Sequence, residues 1–509
     1  MRVKQLKMRS FRGIDDLTLD FDETEPTVLI GINGVGKSSI LDCLAILFSQ
    51  VVWRIKGSSF DSVLHPNEQD ITNGREITEN EITISSEIFQ EAKWFEIKRR
   101  KANQENIINN SDYLQLVHFV AENITKKNLQ ERLTDNDWKE IAQKLLQEMV
   151  RRALADSDVT EVQLREFLSN NESLLDDEWK EIKQRVLESI IHPVKAIETS
   201  FREIQKLGDY IHNSLQKNHT FNIPLFVYYP INRAVVELPL EISKRYSFNQ
   251  IEAYEQALTG GKIDFKSFFE WFRNREDLEN ELRRDEFNYR DSQLQGVRQA
   301  ISSLMPKFSN LRVQRSPLRM TVNKQGQELI VNQLSDGEKC LLAMVGDLAR
   351  RLAIANPSLE NPLEGSGIVL IDEIELHLHP KWQREIIPAL TRTFPNCQFI
   401  VTTHSPQVVS HVKPEGIYIL EATDTGVVAK RPESSYGRDS NRILEDLMGV
   451  PERPLEIKNR LRDLFRLIDE GNLDGARELQ KDLVAEIGAD EPDFASADVL
   501  IRRREILGR

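Results

Sequence analysis

The run Gly31-Ile-Asn33-Gly34-Val-Gly36-Lys37-Ser38-Ser39 fits the spacing G-x-x-x-x-G-K-[ST], and its flanks narrow the fold further. The apolar run Val28-Leu29-Ile30 precedes it, and a helical pattern opens at Ser38. A strand, a glycine-rich loop and a helix in that order form a cradle. Backbone N–H groups curl around phosphate there, and the helix N-terminus adds a favourable dipole. In such a cradle Asn33, Gly34, Gly36, Ser38 and Ser39 line the nucleotide. Lys37 reaches the β- and γ-phosphates of ATP, and Ser38 holds Mg²⁺. A chance glycine turn before a helix is the competing reading, and it leaves the flanks unexplained.

The rest of the composition bounds what surrounds this cradle. A chain of 509 residues is too long for one ordinary core, so two or more domains are expected. The net charge of −14 argues against a chain that coats nucleic acid indiscriminately, while leaving room for a local basic groove. Cys43, Cys340 and Cys397 lie far apart inside apolar patterns and read as reduced core residues of a cytosolic protein. No run approaches the roughly 20 apolar residues that span a bilayer. Met1-Arg-Val-Lys-Gln-Leu-Lys alternates like a strand without a signal-peptide core. The expectation is a cytoplasmic protein with no membrane partner.

Two alternating segments open the chain, Val3 to Phe11 and Leu17 to Phe21, with Phe11-Arg12-Gly13 between them. Arg12, one turn before a strand that leads into the phosphate loop, can reach back to phosphate as a bidentate cation. Strand, Phe-Arg-Gly, strand and phosphate loop in this order resemble the opening of the SMC and RecF group of ABC-type ATPases. Glu81-Ile-Thr-Ile-Ser and Trp94-Phe-Glu-Ile-Lys alternate and could pair as an antiparallel sheet, and such heads carry one beside the phosphate loop. The resemblance also implies a flexible loop at Asn67-Glu-Gln69-Asp70-Ile71, where Gln69 or Asp70 would meet Mg²⁺ and the attacking water. An ordinary solvated loop is the alternative.

From Asn103 to Asn218 the sequence is helical, polar and charged. Trp138-Lys-Glu-Ile and Trp179-Lys-Glu-Ile echo each other, which suggests a duplicated helical hairpin. No heptad register is held, so a long coiled coil is not expected. Pro224-Leu-Phe-Val-Tyr-Tyr229-Pro230 returns to a buried-strand pattern. Phe265, Phe268, Phe269, Trp271 and Phe272 form an aromatic stripe, read as core packing ahead of base stacking. Arg283, Arg284, Arg290 and Arg298 follow, as either a solvated face or a partner surface.

Leu334-Ser335-Asp336-Gly337-Glu338-Lys339 opens a helix with apolar residues at Leu341, Leu342, Val345, Leu348 and Leu352. A serine and a glycine at a helix start present a hydroxyl and a bare N–H to an anion. This run resembles the ABC signature, in which Ser335, Asp336, Gly337 and Glu338 would close on the γ-phosphate held by another subunit. With one phosphate loop and one signature per chain, two heads must then meet. Gly367-Ile-Val-Leu-Ile-Asp372-Glu373 is a buried strand ending in two carboxylates, the Walker B arrangement. Asp372 would support Mg²⁺, and Glu373 would polarise the attacking water. Cys397-Gln-Phe-Ile-Val-Thr-Thr-His404 is another strand ending in a histidine that can sense the γ-phosphate. The resemblance implies a dimer-contact loop at His377-Leu-His379, with a metal pair as the alternative.

Beyond Pro432, three helical patterns run from Leu455 to Leu507 and end in Arg502-Arg503-Arg504, read as a helix C-terminal charge match or a nucleic-acid contact. No nuclease motif of Toprim or HNH type is read in the chain. The expected class is α/β: a P-loop ABC/SMC-type ATPase head, a mixed sheet flanked by helices, with a helical insertion and a helical C-terminal module. Its parts are residues 1–102 and 221–432 for the head, 103–220 for the insertion and 433–509 for the docking module.

Tyr228-Tyr229-Pro230, Phe268-Phe269-Glu-Trp271-Phe272, the signature, Asp372-Glu-Ile-Glu-Leu-His-Leu-His-Pro380 and Thr402-Thr-His-Ser-Pro406 together resemble the PtuA family, the ATPases of Septu and retron-Septu anti-phage systems. The resemblance implies a homo-oligomer of ATPase heads that holds a separate HNH nuclease of the PtuB type. In retron versions a reverse transcriptase joins with its RNA–DNA product, the msDNA. Slow or suppressed ATP hydrolysis in the assembled complex fits a sensor that need only distinguish bound from empty. The alternative is a RecF/SMC-like DNA-repair ATPase binding duplex DNA directly, which predicts a basic groove and stimulation by long duplexes. A transporter subunit ranks third, because its membrane partner signal is missing.

Overall fold

The computed structural model describes residues 1–57, 63–86, 91–100, 202–218, 220–231, 249–260, 263–424 and 426–507. Most of the expected insertion, including both Trp-Lys-Glu-Ile repeats, lies outside the described residues, as do Asn232 and Arg233. The chain divides into two units, Met1–Tyr436 and Gly437–Arg509.

Continuous apolar runs set the central sheet of the first unit. β3 (Thr27–Gly31), β6 (Leu225–Tyr229), β10 (Gly367–Ile371) and β11 (Cys397–Thr402) are buried almost throughout. Strands buried on both faces belong in a parallel sheet. They join β12 (Ile417–Thr423) and β13 (Gly426–Lys430) in the order β13-β12-β3-β11-β10-β6, with only β13 antiparallel to its neighbour. This order brings the C-terminal ends of β3, β11 and β10 side by side, where an open α/β sheet binds its ligands.

A second sheet is antiparallel, in the order β2-β1-β4-β5, made of β1 (Arg2–Phe11), β2 (Ile14–Asp20), β4 (Ile77–Ser85) and β5 (Ala92–Arg99). β1 buries Val3, Leu6, Met8 and Phe11, and a register shift between Val3 and Gln5 keeps them on one side. Helix α1 (Lys37–Lys56) packs against strands of both sheets, and Trp94 Nε1 on β5 donates to its Leu47 carbonyl at 3.0 Å. With 20 residues of apolar composition, α1 meets the length and hydropathy of a membrane span, against the expectation from the sequence. Its apolar side chains are spent instead on the core: Ile40, Leu41, Leu44, Leu47, Phe48, Val51 and Ile55 are all buried. Cys43, Cys340 and Cys397 are buried and unbridged.

A helix α2 over 202–217 follows the undescribed segment and is tied to the end of α1 by Arg54 and Asp209, 2.7 Å apart. Helix α3 (Phe265–Leu282) carries the aromatic stripe, every member of which is buried. The core reading of that stripe therefore holds. Helix α4 (Ser292–Leu304) and strands β7 (Phe308–Arg315), β8 (Leu318–Lys324) and β9 (Gln327–Ile330) complete the region. Arg283 and Arg298 are not a freely solvated face, because they pair with the buried carboxylates Glu276 and Glu279 of α3. Beyond β9 come α5 (Asp336–Ala355) and α6 (Pro380–Thr393).

The second unit packs α7 (Leu455–Asp469), α8 (Leu473–Ile487) and α9 (Pro492–Leu507) around Leu461, Leu464, Ile468, Ala476, Leu483, Phe494, Ala497 and Ile501. Arg504 donates to the Asp469 carbonyl at the end of α7, at 3.0 Å, while Arg502 and Arg503 are exposed.

Candidate nucleotide site

The phosphate loop joins β3 to α1, and Gly36 is the helix N-cap at φ +106°. Gly31 stands at φ +151°, where a Cβ would lie 2.6 Å from the Leu420 carbonyl of β12. Both positions therefore exclude side chains, one by conformation and the other by contact. Ile32, Asn33 and Gly34 are exposed, and Ser38 and Ser39 are half-buried. Lys37 is buried, and its Nζ donates to the carbonyls of Gly31 and Ile32, both at 2.9 Å. Burial lowers its pKa, against the opposing charges of Asp372, Glu373 and Glu375.

Those carboxylates leave the end of β10. Asp372 is buried, and its Oδ1 accepts from Thr402 Oγ1 at 2.5 Å. The same hydroxyl accepts the Glu373 N–H at 2.7 Å, so one threonine of β11 fixes both Walker B residues. Glu373 has φ +46°, a left-handed conformation costing about 1–2 kcal/mol for a residue with a Cβ. His404 follows β11 and is exposed; its N–H donates to Glu375 Oε1 at 2.5 Å. Thr403 Oγ1 donates to Glu375 Oε2 at 2.7 Å. Lys37, Asp372, Glu373 and His404 thus sit at the ends of the adjacent strands β3, β10 and β11.

The signature is built locally. Ser335 caps α5 in a capping box with Glu338: its N–H and Oγ lie 3.1 and 3.0 Å from Glu338 Oε2. Burial would raise the Glu338 pKa, but hydrogen bonds from Lys324 and Ser335 hold it below the usual range. Asp336 is exposed and pairs with Lys339 at 2.9 Å. At Gly337 a Cβ would stand 2.2 Å from the His377 carbonyl, so the first turn of α5 rests on the loop after Walker B. His379 is the N-cap of α6 and accepts the Lys381 N–H through Nδ1. Among the described residues no group of three or more His, Cys, Asp or Glu could hold a metal ion.

Two candidates stand apart from the phosphate loop in their contacts. Arg12, at φ +46°, gives its Nε to Asp70 at 2.6 Å and an Nη to Asp42 of α1. Gln69 is exposed in a single 3-10 turn, its N–H donated to Asn67 Oδ1 at 2.8 Å. Asp70, the alternative to Gln69 as an Mg²⁺ contact, accepts from Arg12 instead, and Asp42, Thr402, Glu375 and a buried cluster on α5 were not among the sequence candidates. In that cluster Asp347 accepts from Tyr229 Oη at 2.9 Å, Arg350 at 2.7 Å and Arg351 at 2.6 Å. The Tyr229 carbonyl in turn accepts the Asp372 N–H at 2.9 Å, which links the signature helix to the Walker B turn.

The AAA ATPase domain family matches residues 1–409. The chain belongs to that family. The fold of this family ATPase is the mixed sheet with flanking helices described above, with the phosphate loop at the C-terminal end of β3. It is similar to the retron Ec83 probable ATPase of Escherichia coli, 28% identical over 568 residues that cover 99% of this chain and 87% of that one. It is also similar to the retron Vc95 probable ATPase of Vibrio cholerae, 34% identical over 50% of this chain and 60% of that one. The Septu protein PtuA of Bacillus thuringiensis is 29% identical over 33% of this chain and 43% of its own length. The resemblance to the Septu and retron-Septu ATPases is thus carried by named members of both groups.

Proposed function

We propose that this ATPase is the nucleotide-gated subunit of a cytoplasmic anti-phage defence complex, and that head dimerisation driven by ATP controls an associated HNH nuclease of the PtuB type. The similarity to a retron ATPase along almost the whole chain carries this reading. In a retron-type system the reverse transcriptase and its msDNA complete the assembly. In this reading the nuclease docks through the insertion at 103–220 or through the helical C-terminal module.

In this reading Lys37 leaves the carbonyls of Gly31 and Ile32 for the β- and γ-phosphates, whose charge adds to that of Asp372, Glu373 and Glu375. Glu373 orients the attacking water, and its conformation is held by Thr402. His404 contacts the γ-phosphate, and Ser335 and Gly337 approach it from a second head. The oxygen donors Ser38, Asp372 and Gln69 suit Mg²⁺, which when bound neutralises phosphate charge. Arg12 holds Asp42 on α1 against Asp70, and in this reading it exchanges one of these carboxylates for phosphate.

The test is co-expression of the tagged chain with its neighbouring genes, followed by identification of bound proteins and nucleic acids. Co-purification of an HNH protein whose cleavage changes with ATP is the expected result. A homodimer that carries no nuclease and is stimulated by long duplex DNA would overturn the proposal.

A further inference from the structure

Strands β10 and β11 run parallel with Ile371 opposite Val401, so their two exit loops leave the sheet side by side. The regular strand register ends there, yet the loops remain joined. Ile374 N–H donates to the Thr402 carbonyl at 3.0 Å, and Thr402 Oγ1 bridges Asp372 and Glu373. The last link is Glu375, whose two carboxylate oxygens take the Thr403 hydroxyl and the His404 N–H separately.

A carboxylate is a costly choice for a purely structural clamp in this place. Asp372 and Glu373 already put two acidic groups in the same turn, and like charges at close range disfavour one another. What a carboxylate adds is a charge-assisted, two-pronged grip, about twice as strong as neutral hydrogen bonds. It also adds sensitivity to the field of Lys37, which feels the Glu375 charge. The group that grips the histidine loop thus adds to the field at the cation that meets the phosphates.

We infer that Glu375 is a positioning residue for ATP hydrolysis: it fixes the backbone of the His404 loop in register with the Asp372-Glu373 turn, so that the histidine and the water-orienting glutamate meet one γ-phosphate together. This deepens the proposed function and rests on the reading of His404 as the γ-phosphate contact. Thr403 is the partner that completes the grip, and the adjacent Ser405 Oγ, donated to Gln383 Oε1 at 2.8 Å, anchors the far side of the loop to α6.

The test measures kcat, ATP and ADP affinity and thermal melting for the purified full-length assembly. A misplacement of about 1 Å in a reacting group costs about 100-fold in rate. Glu375→Ala is therefore expected to lower kcat by about that factor, with ATP and ADP affinities within about threefold of the parent. Glu375→Gln keeps an acceptor for the His404 N–H and is expected to recover most of the loss. His404→Ala should reproduce the defect, and the double variant Glu375→Ala/His404→Ala should be no slower than either single one, because the two act as one unit. Should Glu375→Ala fail to fold, Thr403→Val removes one prong at nearly constant volume and is expected to lower kcat by about tenfold. Normal hydrolysis by Glu375→Ala or a multiplied loss in the double variant would overturn the inference while leaving the His404 role standing. Normal hydrolysis by His404→Ala would overturn both.

Discussion

The two halves of the candidate site are held in contrasting ways. On the phosphate-loop side, Lys37, Asp372, Glu373 and His404 come from three strand ends, and their positions depend on cross-strand threonines and on a buried parallel sheet. On the signature side, Ser335 and Glu338 cap their own helix, and Lys324 of β8 and a close contact at Gly337 seat its first turn. The first half is a tertiary construction and the second is mostly a local one. Damage should therefore spread on the first side and stay confined on the second.

The largest expected effect lies in the loop. Lys37→Ala should abolish ATP binding, read by equilibrium titration with a fluorescent ATP analogue. Glu373→Gln should keep ATP bound with the heads closed while hydrolysis falls by about 1,000-fold, as expected for loss of a water-activating carboxylate. Equal loss of binding in both variants would erase the distinction between a phosphate contact and a water-orienting residue.

The link between the halves comes next. Asp347→Asn breaks a buried ion cluster and should cost about 3–5 kcal/mol in a denaturant melt. Burial raises the Asp347 pKa, but Arg351 and Arg350 more than offset it and hold it at about 2 against an ordinary 3.8. A depressed carboxyl contributes its stability above its ordinary pKa and loses it as pH falls through the folded one. The parent should therefore weaken between pH 3.8 and about 2, and Asp347→Asn should lose that part of the acid slope.

The smallest effect is the local one. Ser335→Ala removes the helix cap and should cost about 1 kcal/mol of stability, with ATP affinity of the single head unchanged. A larger loss that included ATP binding would show the signature to be as interdependent as the phosphate loop.

The same contrast decides what could be read from the sequence. The phosphate loop, the signature cap and the Walker B strand are local patterns, so Lys37, Ser335 and Asp372 are visible as motifs. The aromatic stripe was legible as core because five large rings within eight residues can hardly all face water. Partners separated along the chain were not legible. Arg12 meets Asp42 and Asp70, which lie 30 and 58 residues away, where its sequence context pointed to phosphate. Tyr229 finds Asp347 across 118 residues, and nothing near either residue announces the other. Glu375 and the two threonines before His404 stand beside recognised motifs, yet their pairing needs the parallel register of β10 and β11. Hydropathy alone also overstates α1, whose apolar length serves a core between two sheets.

The central claim is that a complete site joins the phosphate loop of one head to the signature of another. Its most direct test co-expresses two inactive chains, one carrying Lys37→Ala and the other Ser335→Arg, which puts a bulky side chain at an exposed signature position. Each alone should hydrolyse no ATP above background. Random pairing makes about half of the dimers mixed, each with one intact composite site, so roughly a quarter of the parental activity should return. Activity no greater than that of the two variants measured separately would contradict the account.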